Sequence, residues 1–530
     1  MAAAQDALPS VLEDITLIEQ ATLTSSQTSL TSAFEYRNQR LNNVFSKKAF
    51  SESVQIASDR INRLIRFSEI QGVKLEQPDQ LMNAARSLMT PTNSNFVFDK
   101  ERFAQILDLY ISTGIKVYSR GYMARQFSAV MPVSAVFDMV SAIAPQPASF
   151  YEAGQLANVV DKIVCQEFSQ ILGWHAPRPE MIVTSGGSLA NLTAILTSRN
   201  VKYPESWANG INLESGQMRP AIAISEDAHY SVSRVLGILG LGQNQIVRLK
   251  LNDKREICVE RAISAIEEAK QNNLNVFCLV ASAGSTAIGA IDRLAELADY
   301  SHAHNIWFHV DACHSGAYLL SPNLRHKLHG IEKADSFCID AHKMLFVPAL
   351  CSMLFYRDGA SAASTFSQRA SYVFDDHLNE MASFESAAKN FECTKRPAIM
   401  NFWLMWALYG PEVFAEKLEY LYNLTQDAYG VLEEQPDFRT LHLPASNILC
   451  FEYRPHGLPE SGVNGLQKAI WDRVRSDGRF FISKVELGSE TALRVVFMNH
   501  EITLQNFHEL LDEIRRVGQT LSYPKQAADL

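Results

Sequence analysis

The chain has 530 residues and a mass of 59.3 kDa, enough for several domains and a large buried core. Acidic side chains outnumber basic ones by 58 to 48, and the formal charge of -10 disfavours nucleic acid or an anionic membrane as a partner. The eight cysteines lie mostly in apolar runs and include no CxxC pair, which predicts reduced thiols in a cytoplasmic protein.

The first 120 residues are predicted to form an N-terminal arm and a helical segment. The start of the chain lacks a basic stretch followed by apolar residues, so we expect no secretory signal. No run of the sequence reaches the roughly 20 apolar residues that cross a bilayer. Residues 22–32 are rich in hydroxyl groups and indicate a mobile arm, whereas residues 42–118 place apolar side chains three and four apart, which predicts helices.

Residues 121–396 are predicted to form a large α/β domain. Short apolar runs alternate here with amphipathic stretches, and strands that are apolar throughout indicate a largely parallel sheet with helices on both faces. Ligands of such sheets bind at the carboxyl ends of the strands. The predicted strands are MIVT, AIAIS, QIVRL, VFCLVAS, IWFHVDA, DSFCID and LCSMLFY.

Residues 397–530 are predicted to form a smaller α+β domain. A long apolar helix, AIMNFWLMWALYG, opens it, and the runs ILCFEY and ALRVVFM predict two strands. The spacing of apolar residues in QNFHELLDEIRRVG predicts a final helix. The sequence contains no internal repeat.

The segment TSGGS, residues 184–188, joins the predicted strand MIVT to a helix. Its paired glycines let backbone N–H groups approach an anion, and Ser185 and Ser188 add hydroxyl donors at the positive end of the helix. The pattern is typical of a phosphate site. A plain strand-to-helix turn that needs glycine explains it equally well.

Two charged residues follow later strands of the same sheet. Asp311 ends IWFHV, where a carboxylate can keep a pyridine nitrogen protonated, although a helix N-cap is the alternative role. Lys343 follows DSFCI beside the apolar MLFVP, where burial should lower the pKa of the ammonium and favour a neutral amine that attacks an aldehyde. A surface lysine is the alternative, but the order of phosphate turn, acid and lysine along one sheet favours a cofactor site.

The motifs TSGGSLANL, SEDAHYS, GSTAIGAID, HVDACHSGA, DSFCIDAHK and LRVVFMN together resemble the pyridoxal-phosphate decarboxylases of the glutamate, cysteine-sulfinate, diaminobutyrate and aromatic amino-acid group. They span about residues 121–518. The resemblance implies an α/β enzyme of fold type I, with an aspartate-aminotransferase-like large domain around a mostly parallel seven-stranded sheet, a helical N-terminal segment and a small C-terminal α+β domain. It also implies pyridoxal 5′-phosphate as cofactor, an amino acid as small-molecule substrate, and a homodimer.

The resemblance further implies roles for individual residues. Lys343 would bind the cofactor aldehyde, Asp311 would pair with the pyridine nitrogen, and His229 would stack on the ring. A hydrogen-bonded turn histidine is the alternative for His229. Tyr372 would protonate the product carbanion from a mobile loop, and a surface aromatic is its alternative. The other implied cofactor contacts are Ser185, Gly187, Ser188 and His342 at the phosphate and Thr286 near the ring substituents.

Two further residues bear on the substrate. Gln126 lies in ARQFSAV, which resembles the glutamate-decarboxylase segment whose glutamine meets the distal carboxylate of the substrate, and Arg494 in ALRVVFMN is expected near a substrate carboxylate. Gln126 favours an acidic substrate such as glutamate, aspartate or cysteine sulfinate, whereas Arg494 supports an amino-acid substrate without choosing among them. Cys313, His314 and the motif DAHK depart from the glutamate branch, and DAHK looks closer to diaminobutyrate-type enzymes. A diaminobutyrate or aromatic amino-acid decarboxylase therefore stays open, as does another fold type I enzyme such as an aminotransferase.

Several side chains of the types that bind metals lie between residues 302 and 314, so a transition-metal site is a further alternative. His309, Asp311 and Cys313 share a face if the strand continues, but His302 and His304 belong to the end of the preceding helix. No second cluster in the sequence completes a ligand shell. We therefore predict no metal.

Overall fold

The structure, a computed structural model, describes residues 39–65, 70, 72, 75–89, 95–175, 178–214, 216–366 and 383–522. The chain divides into two compact units, Met1–Phe67 with Lys74–Ile115, and Ser68–Val73 with Lys116–Leu530. The predicted arm lies outside the described residues. The predicted boundary between a large and a small domain at residue 396 falls within the second unit and stays a prediction.

The first unit is helical, as predicted. The side chains of Ser46 and Asp99 accept hydrogen bonds from the first turns of two of its helices, as N-caps do. Arg60 in one helix donates to both carboxylate oxygens of Asp108 in another, at 2.7 and 2.9 Å. None of the residues in these helices is buried within the chain. The helices are α1 (Lys47–Leu64), α2 (Pro78–Met89) and α3 (Lys100–Thr113).

A seven-stranded sheet forms the centre of the second unit and confirms the predicted mostly parallel sheet. The strand order is β1-β7-β6-β5-β4-β2-β3, and β7 alone in this sheet runs antiparallel to its neighbours. All seven predicted runs form strands. They are β1 (Glu180–Thr184), β2 (Arg219–Ser225), β3 (Ile246–Leu249), β4 (Leu274–Ser282), β5 (Trp307–Asp311), β6 (Ser336–Asp340) and β7 (Ser352–Tyr356).

Both faces of this sheet are covered, because its strands are apolar on both sides. Phe308 and Phe337 belong to one buried apolar cluster, whereas Trp307 belongs to another on the opposite face. The helices of this region are α4 (Pro132–Ile143), α5 (Gln155–Leu172), α6 (Gly187–Lys202), α7 (Ser206–Asn209), α8 (Tyr230–Ile238), α9 (Val259–Gln271), α10 (Leu294–Ala303), α11 (Ala341–Met344) and α12 (Gly359–Phe366).

The C-terminal region adds an antiparallel sheet of four strands in the order β10-β11-β9-β8. The predicted strands ILCFEY and ALRVVFM form β9 and β11, and the predicted helices form α13 and α16. Two strands and two helices of this region were not predicted. The elements are α13 (Ile399–Tyr409), α14 (Glu412–Glu433), β8 (Phe438–Thr440), β9 (Ile448–Tyr453), α15 (Glu460–Asp477), β10 (Ser483–Leu487), β11 (Glu490–Val496) and α16 (Leu504–Ser522). Among the described residues, no helix has the length and apolar character needed to span a bilayer.

Candidate active site

The turn after β1 brings the N-terminus of α6 against two later strand ends. Gly186 adopts a φ of +110°, which L side chains rarely adopt, and α6 begins at the next residue. A Cβ atom on Gly187 would lie 2.4 Å from Cys313 Sγ and 3.0 Å from Asp340 Oδ2. Glycine at position 187 is therefore required by the close approach of the α6 backbone to the ends of β5 and β6.

Ser185, in the same turn, already donates to an anionic group. Its backbone N–H donates to Glu392 Oε2 at 3.2 Å, and its hydroxyl donates to Glu392 Oε1 at 2.5 Å. These are the donors predicted to face a phosphate. Ser185 can therefore hold a phosphate with these donors only when the Glu392 carboxylate moves away.

Asp311 ends β5, and its carboxylate accepts three hydrogen bonds, one of them a long bond of 3.8 Å from Cys338 Sγ to Oδ1. Its Oδ2 accepts from Asn191 Nδ2 of α6 at 2.9 Å, and its Oδ1 accepts from the backbone N–H of Cys313 at 3.2 Å. The helix N-cap alternative does not hold, because the following 3-10 helix, Ser315–Leu320, begins after His314. Asp311 is thus a carboxylate oriented by its neighbours at the end of a parallel strand.

Lys343 lies in α11, directly after β6, with Nζ 2.9 Å from Asp340 Oδ2. Burial is the largest single influence on the lysine and lowers its pKa, but the charge of Asp340, the hydrogen bond to it and the charge of Asp311 together outweigh burial, so the pKa is raised. Burial likewise raises the pKa of Asp340, and the charges of Lys343 and His342 together with the hydrogen bonds from Ser352 and Lys343 outweigh it, so that pKa is lowered. The Ser352 hydroxyl donates to Asp340 Oδ1. The predicted neutral amine is therefore wrong, because Lys343 is an ammonium in a buried ion pair.

His229 is the N-cap of α8. Its Nδ1 accepts from the backbone N–H of Ser231 at 3.3 Å and lies 2.7 Å from Ser231 Oγ. Burial lowers the pKa of His229, and the charge of Asp311 opposes this effect without reversing it. The imidazole is therefore neutral near pH 7. The hydrogen bonds of Nδ1 agree with the alternative role of a turn histidine. The ring of His229 also lines the cavity described next.

The ends of β4, β5 and β6 border a cavity of about 420 Å³, as expected for ligands of parallel strands. His229, Asp311 and Lys343 all line it, so the three residues on which the predicted cofactor site depends come together. The other predicted site residues in its lining are Gln126, Ser185, Gly187, Ser188, Thr286 and His342.

Among the described residues, Arg494 is the predicted site residue that the cavity lining does not include. The guanidinium of Arg494 donates to the backbone oxygens of Ala124, Thr286 and Ala287 and to Ser483 Oγ, at 2.8–3.2 Å. Four of its five N–H donors thus point into the protein. This geometry favours a positioning role for Arg494, which joins the segments bearing Gln126 and Thr286, over the predicted substrate contact. Tyr372 lies outside the described residues.

His314, a buried histidine without a predicted role, also lines the cavity. Its Nε2 donates to Asn447 Oδ1 at 2.7 Å, and its Nδ1 has no hydrogen-bond partner within the described part of the chain. Burial, assisted by the charge of Lys343, lowers its pKa to about 3. The ring is therefore neutral and presents a bare acceptor. The sequence marked this position as a departure from the glutamate branch and as a member of the group of possible metal ligands.

Other residues of the site were also missed. Asp340 was quoted in the motif DAHK without a role, although its spacing of three residues from Lys343 on a helical turn indicates a pair. Asn191 follows the glycine turn by one helical turn, and only the folded chain brings it to Asp311. Glu392 lies 207 residues from Ser185 and carried no sequence signal.

The ligand atoms of Asp311, Cys313 and Cys338 lie within 4.8 Å of one another, the spacing of a metal site. A hydrogen bond with Cys338, together with burial, raises the pKa of Cys313 well above its usual value. A hydrogen bond with Cys313 lowers the pKa of Cys338, but burial and the charges of Asp311 and Asp340 together outweigh it and the pKa is raised. Both thiols therefore keep their protons, whereas metals bind the thiolate. The predicted absence of a metal stays a prediction.

Comparison with known proteins adds a family to this geometry. Residues 92–454 match the family model described as the pyridoxal-dependent decarboxylase conserved domain. The Homo sapiens protein named acidic amino acid decarboxylase GADL1 is 26% identical over 381 residues, which are 70% of this chain and 72% of that protein.

Solved structures share the fold. Mouse CSAD in apo form superposes with a TM-score of 0.80 at 22% identity, covering 90% of this chain and 99% of that one. Oryza sativa TDC with PLP and tryptamine gives a TM-score of 0.81 at 16% identity, with the same coverage. The glutamate decarboxylase domain of diaminobutyrate-pyruvate transaminase and L-2,4-diaminobutyrate decarboxylase from Vibrio parahaemolyticus gives 0.75 at 19% identity, covering 89% of this chain and 95% of that one. The predicted fold class is thereby confirmed.

Proposed function

This chain belongs to the pyridoxal-dependent decarboxylase family, and from that premise we propose that its substrate is an acidic amino acid such as glutamate, aspartate or cysteine sulfinate. Family membership makes the chain an enzyme that decarboxylates an amino acid with pyridoxal 5′-phosphate. The roles of individual residues and the choice of substrate are the proposal.

The residues around the cavity fit this cofactor. Lys343 brings a primary amine, Asp311 a carboxylate and His229 a neutral ring to one space of about 420 Å³. Gly187 lines the cavity at the start of α6, where backbone N–H groups at the positive end of the helix can meet a phosphate, with Ser188 beside it and His342 in the same lining. Glu392 marks the same turn as an anion site, because a carboxylate already accepts from Ser185 there.

When bound, the cofactor supplies an aldehyde for a lysine amine and a ring that accepts the electron pair released as carbon dioxide leaves. Lys343 has to give up a proton before Nζ can act as a nucleophile. Until then the Asp340 carboxylate, 2.9 Å from Nζ, stabilises the ammonium form that carries this proton. Asp311 can hold a proton on the ring nitrogen. His229 can cover one face of the ring and exclude water from it.

The single observation that carries the acidic substrate is the unpartnered amide of Gln126. Its Nε2 is buried, lies in a side chain that lines the cavity, and finds no acceptor in the described part of the chain. A buried donor without an acceptor costs about 1–3 kcal/mol, and a substrate carboxylate would supply the acceptor. Arg125 lines the same cavity and adds positive charge. The human relative is named for acidic amino acids, in agreement with this assignment.

A substrate panel tests this proposal. Cofactor-loaded protein is incubated with glutamate, aspartate, cysteine sulfinate, diaminobutyrate and tryptophan, and carbon dioxide and amine are measured. We expect one of the three acids to be the best substrate. Gln126→Ala should raise the KM for that acid roughly tenfold, because one hydrogen bond to a charged group is lost.

Gln126→Glu places a carboxylate beside the substrate acid and should raise KM further by repulsion. Gln271→Glu, at the end of α9, makes the same change in charge on an exposed residue and should leave KM unchanged. Preference of the unaltered enzyme for diaminobutyrate or tryptophan would overturn the acidic assignment.

Diaminobutyrate is the second candidate, because of His314. The bare Nδ1 of this neutral ring is an acceptor in a side chain that lines the cavity, and it suits a substrate ammonium better than a carboxylate. An aromatic substrate has no comparable observation in its favour, since the likeness to TDC concerns the fold. The same panel separates the two candidates.

Two further parts of the proposal concern Tyr372, which lies outside the described residues, and a second copy of the chain. We propose that Tyr372 delivers the proton to the α-carbon after carbon dioxide leaves. Tyr372→Phe should lower the amine yield and raise by-products of oxidation or transamination, and an unchanged product ratio would refute this role. We also propose a homodimer, the usual closed assembly for enzymes of this kind. The cytoplasmic location stays a prediction.

A further inference from the structure

One face of β5 carries a row of polar groups that ends at Asp311. Because side chains alternate along a strand, Trp307, His309 and Asp311 point to the same side of the sheet. Ser336 of β6 stands directly opposite His309. His309 and Ser336 are wholly buried, and Trp307 is 6% exposed. Polar groups without water must satisfy one another, so their hydrogen bonds are informative.

These groups form a continuous chain of hydrogen bonds, each 2.9 Å long. Trp307 Nε1–H donates to Ser336 Oγ, and the Ser336 hydroxyl donates to His309 Nδ1. His309 Nε2–H then donates to Asn191 Oδ1, and Asn191 Nδ2–H donates to Asp311 Oδ2. The indole can only donate, and an ionised carboxylate can only accept. The carboxylate end therefore sets the direction of the chain, and the indole end is compatible with it, because the Ser336 oxygen accepts from Trp307 and can still donate its own proton.

The histidine in the middle must carry its proton on Nε2. Burial lowers the pKa of His309 to about 4, although the charge of Asp311 acts against this, so the ring is neutral and has one donor and one acceptor. The backbone oxygen of Ser336 lies 3.1 Å from Nδ1 and would accept a proton there. That tautomer would turn the Asn191 amide over and set its oxygen against Asp311 Oδ2. In the observed direction of the hydrogen bonds, the Asn191 amide presents an N–H donor to the Asp311 carboxylate.

We propose that Asn191 and His309 are positioning residues that hold the Asp311 carboxylate in one orientation for the ring nitrogen of pyridoxal 5′-phosphate. The inference rests on the role proposed above for Asp311. Asn191 borders the cavity and hydrogen-bonds Asp311, whereas His309 is absent from the cavity lining and reaches Asp311 through Asn191. Their proposed effect on the reaction is through Asp311. The signal in the sequence is the alternation W-x-H-x-D in β5.

The test compares variants of the full-length enzyme by three readouts. These are the dissociation constant of the cofactor, the 15N chemical shift of the ring nitrogen in labelled cofactor, and the division of the kinetic effect between kcat and KM. Asn191→Ala and His309→Leu should weaken cofactor binding roughly tenfold, move the 15N shift toward an unprotonated ring, and lower kcat with little change in KM. His309→Gln keeps a side-chain donor and should recover part of the loss.

Matched controls make each outcome decisive. Asn200→Ala removes a buried amide from the same helix, α6, where its oxygen bonds Arg199 and Ser206, and should leave the 15N shift unchanged. Ser336→Ala is a milder break, for use if the larger changes prevent folding, and should act in the same direction as His309→Leu. Suppose that Asp311→Asn changes the 15N shift and the cofactor affinity, while the three variants Asn191→Ala, His309→Leu and Ser336→Ala behave like Asn200→Ala. The positioning role of Asn191 and His309 is then refuted, and the role of Asp311 stands. If Asp311→Asn changes neither the 15N shift nor the cofactor affinity, the proposed role of Asp311 is refuted as well.

Discussion

The charge on Lys343 depends on one neighbouring carboxylate. Burial favours the neutral amine, and Asp340 at 2.9 Å reverses that preference. We predict that Asp340→Asn lowers the pKa of Lys343, because the largest contribution that opposes burial is then removed. The pH midpoint for condensation of pyridoxal 5′-phosphate with the cofactor-free enzyme should fall, and the midpoint is measured from absorbance.

Ser352→Ala is the control for this change. It removes the hydroxyl that donates to Asp340 but leaves the carboxylate in place, so the midpoint should move much less than in Asp340→Asn. An Asp340→Asn enzyme with an unaltered midpoint would mean that Lys343 does not depend on this ion pair.

Asp161 is a buried carboxyl group whose two oxygens have no hydrogen-bond partner within the described residues. Burial raises its pKa from 3.8 to about 7, with Lys395 acting in the opposite direction. Between these values the unfolded chain loses the proton while the folded chain keeps it, so stability falls as pH rises and stays low above pH 7. Asp161→Asn should therefore stabilise the protein by up to about 4 kcal/mol at pH 8 and by less at pH 5. Denaturant unfolding at both values measures this.

Asp292→Asn provides the contrast. Burial raises the pKa of Asp292 to about 7 as well, but its two oxygens accept from the backbone N–H groups of Ile257 and Ser282, each at 2.7 Å. An amide offers only one of those acceptors, so Asp292→Asn should destabilise the protein at both pH values. Equal effects of the two substitutions would show that burial alone governs these carboxyl groups.

Individual site residues could be predicted where a local motif places them at a strand end, as for Asp311, Lys343 and Gly187. What the sequence could not supply is the partner of each group. Lys343 was expected to be neutral because its apolar surroundings are visible in the sequence, whereas the 2.9 Å contact with Asp340 is visible only in three dimensions. The same holds for Arg494, whose donors are directed to backbone oxygens about 208 and 370 residues away along the chain.

At the scale of elements, the packing of α6 against β5 and β6 depends on Gly187. A methyl group there would meet Cys313 Sγ at 2.4 Å, so Gly187→Ala should push α6 outward, destabilise the protein by about 1–3 kcal/mol and weaken cofactor binding. Gly187→Ala combined with Cys313→Gly should recover part of both losses, because the sulfur is removed. Thermal unfolding and cofactor titration are the measurements.

A glycine elsewhere in a helix serves as the control for that prediction. Gly237 of α8 has nothing within 4 Å of the position that a Cβ would occupy, so Gly237→Ala should leave cofactor binding unchanged and raise helix stability slightly. If Gly187→Ala were as harmless as Gly237→Ala, the close approach of α6 to the strand ends would not matter for the site.

The strands of the large sheet could be predicted because all seven are apolar runs, and the sheet buries both faces. The direction of β7 could not. Its connection from β6 contains only the short helix α11, and an antiparallel neighbour needs no long crossover.

β8 and β10 were missed for a different reason. FRT has three residues, and SKVEL carries two charges, so neither reads as an apolar run.

At the scale of the whole molecule, the helical first unit buries little of its own apolar surface. Phe45, Met89 and Tyr110 are 82%, 80% and 79% exposed, the highest values among the large apolar side chains of the described residues. Apolar surface of this kind marks sites that other surfaces cover. In a homodimer, the proposed assembly of this enzyme, a second copy of the chain would be the surface that covers it.

We therefore predict that the enzyme sediments at twice 59.3 kDa and that Tyr110→Asp shifts it toward the monomer. A charge placed in an apolar interface loses its water and weakens association by several kcal/mol unless it finds a partner. Gln105→Asp introduces the same charge on the same helix, α3, at an exposed polar position, and should leave the mass unchanged. Sedimentation over a range of protein concentrations measures both variants. A monomeric parent enzyme, or equal behaviour of the two variants, would show that Tyr110 lies outside any subunit interface.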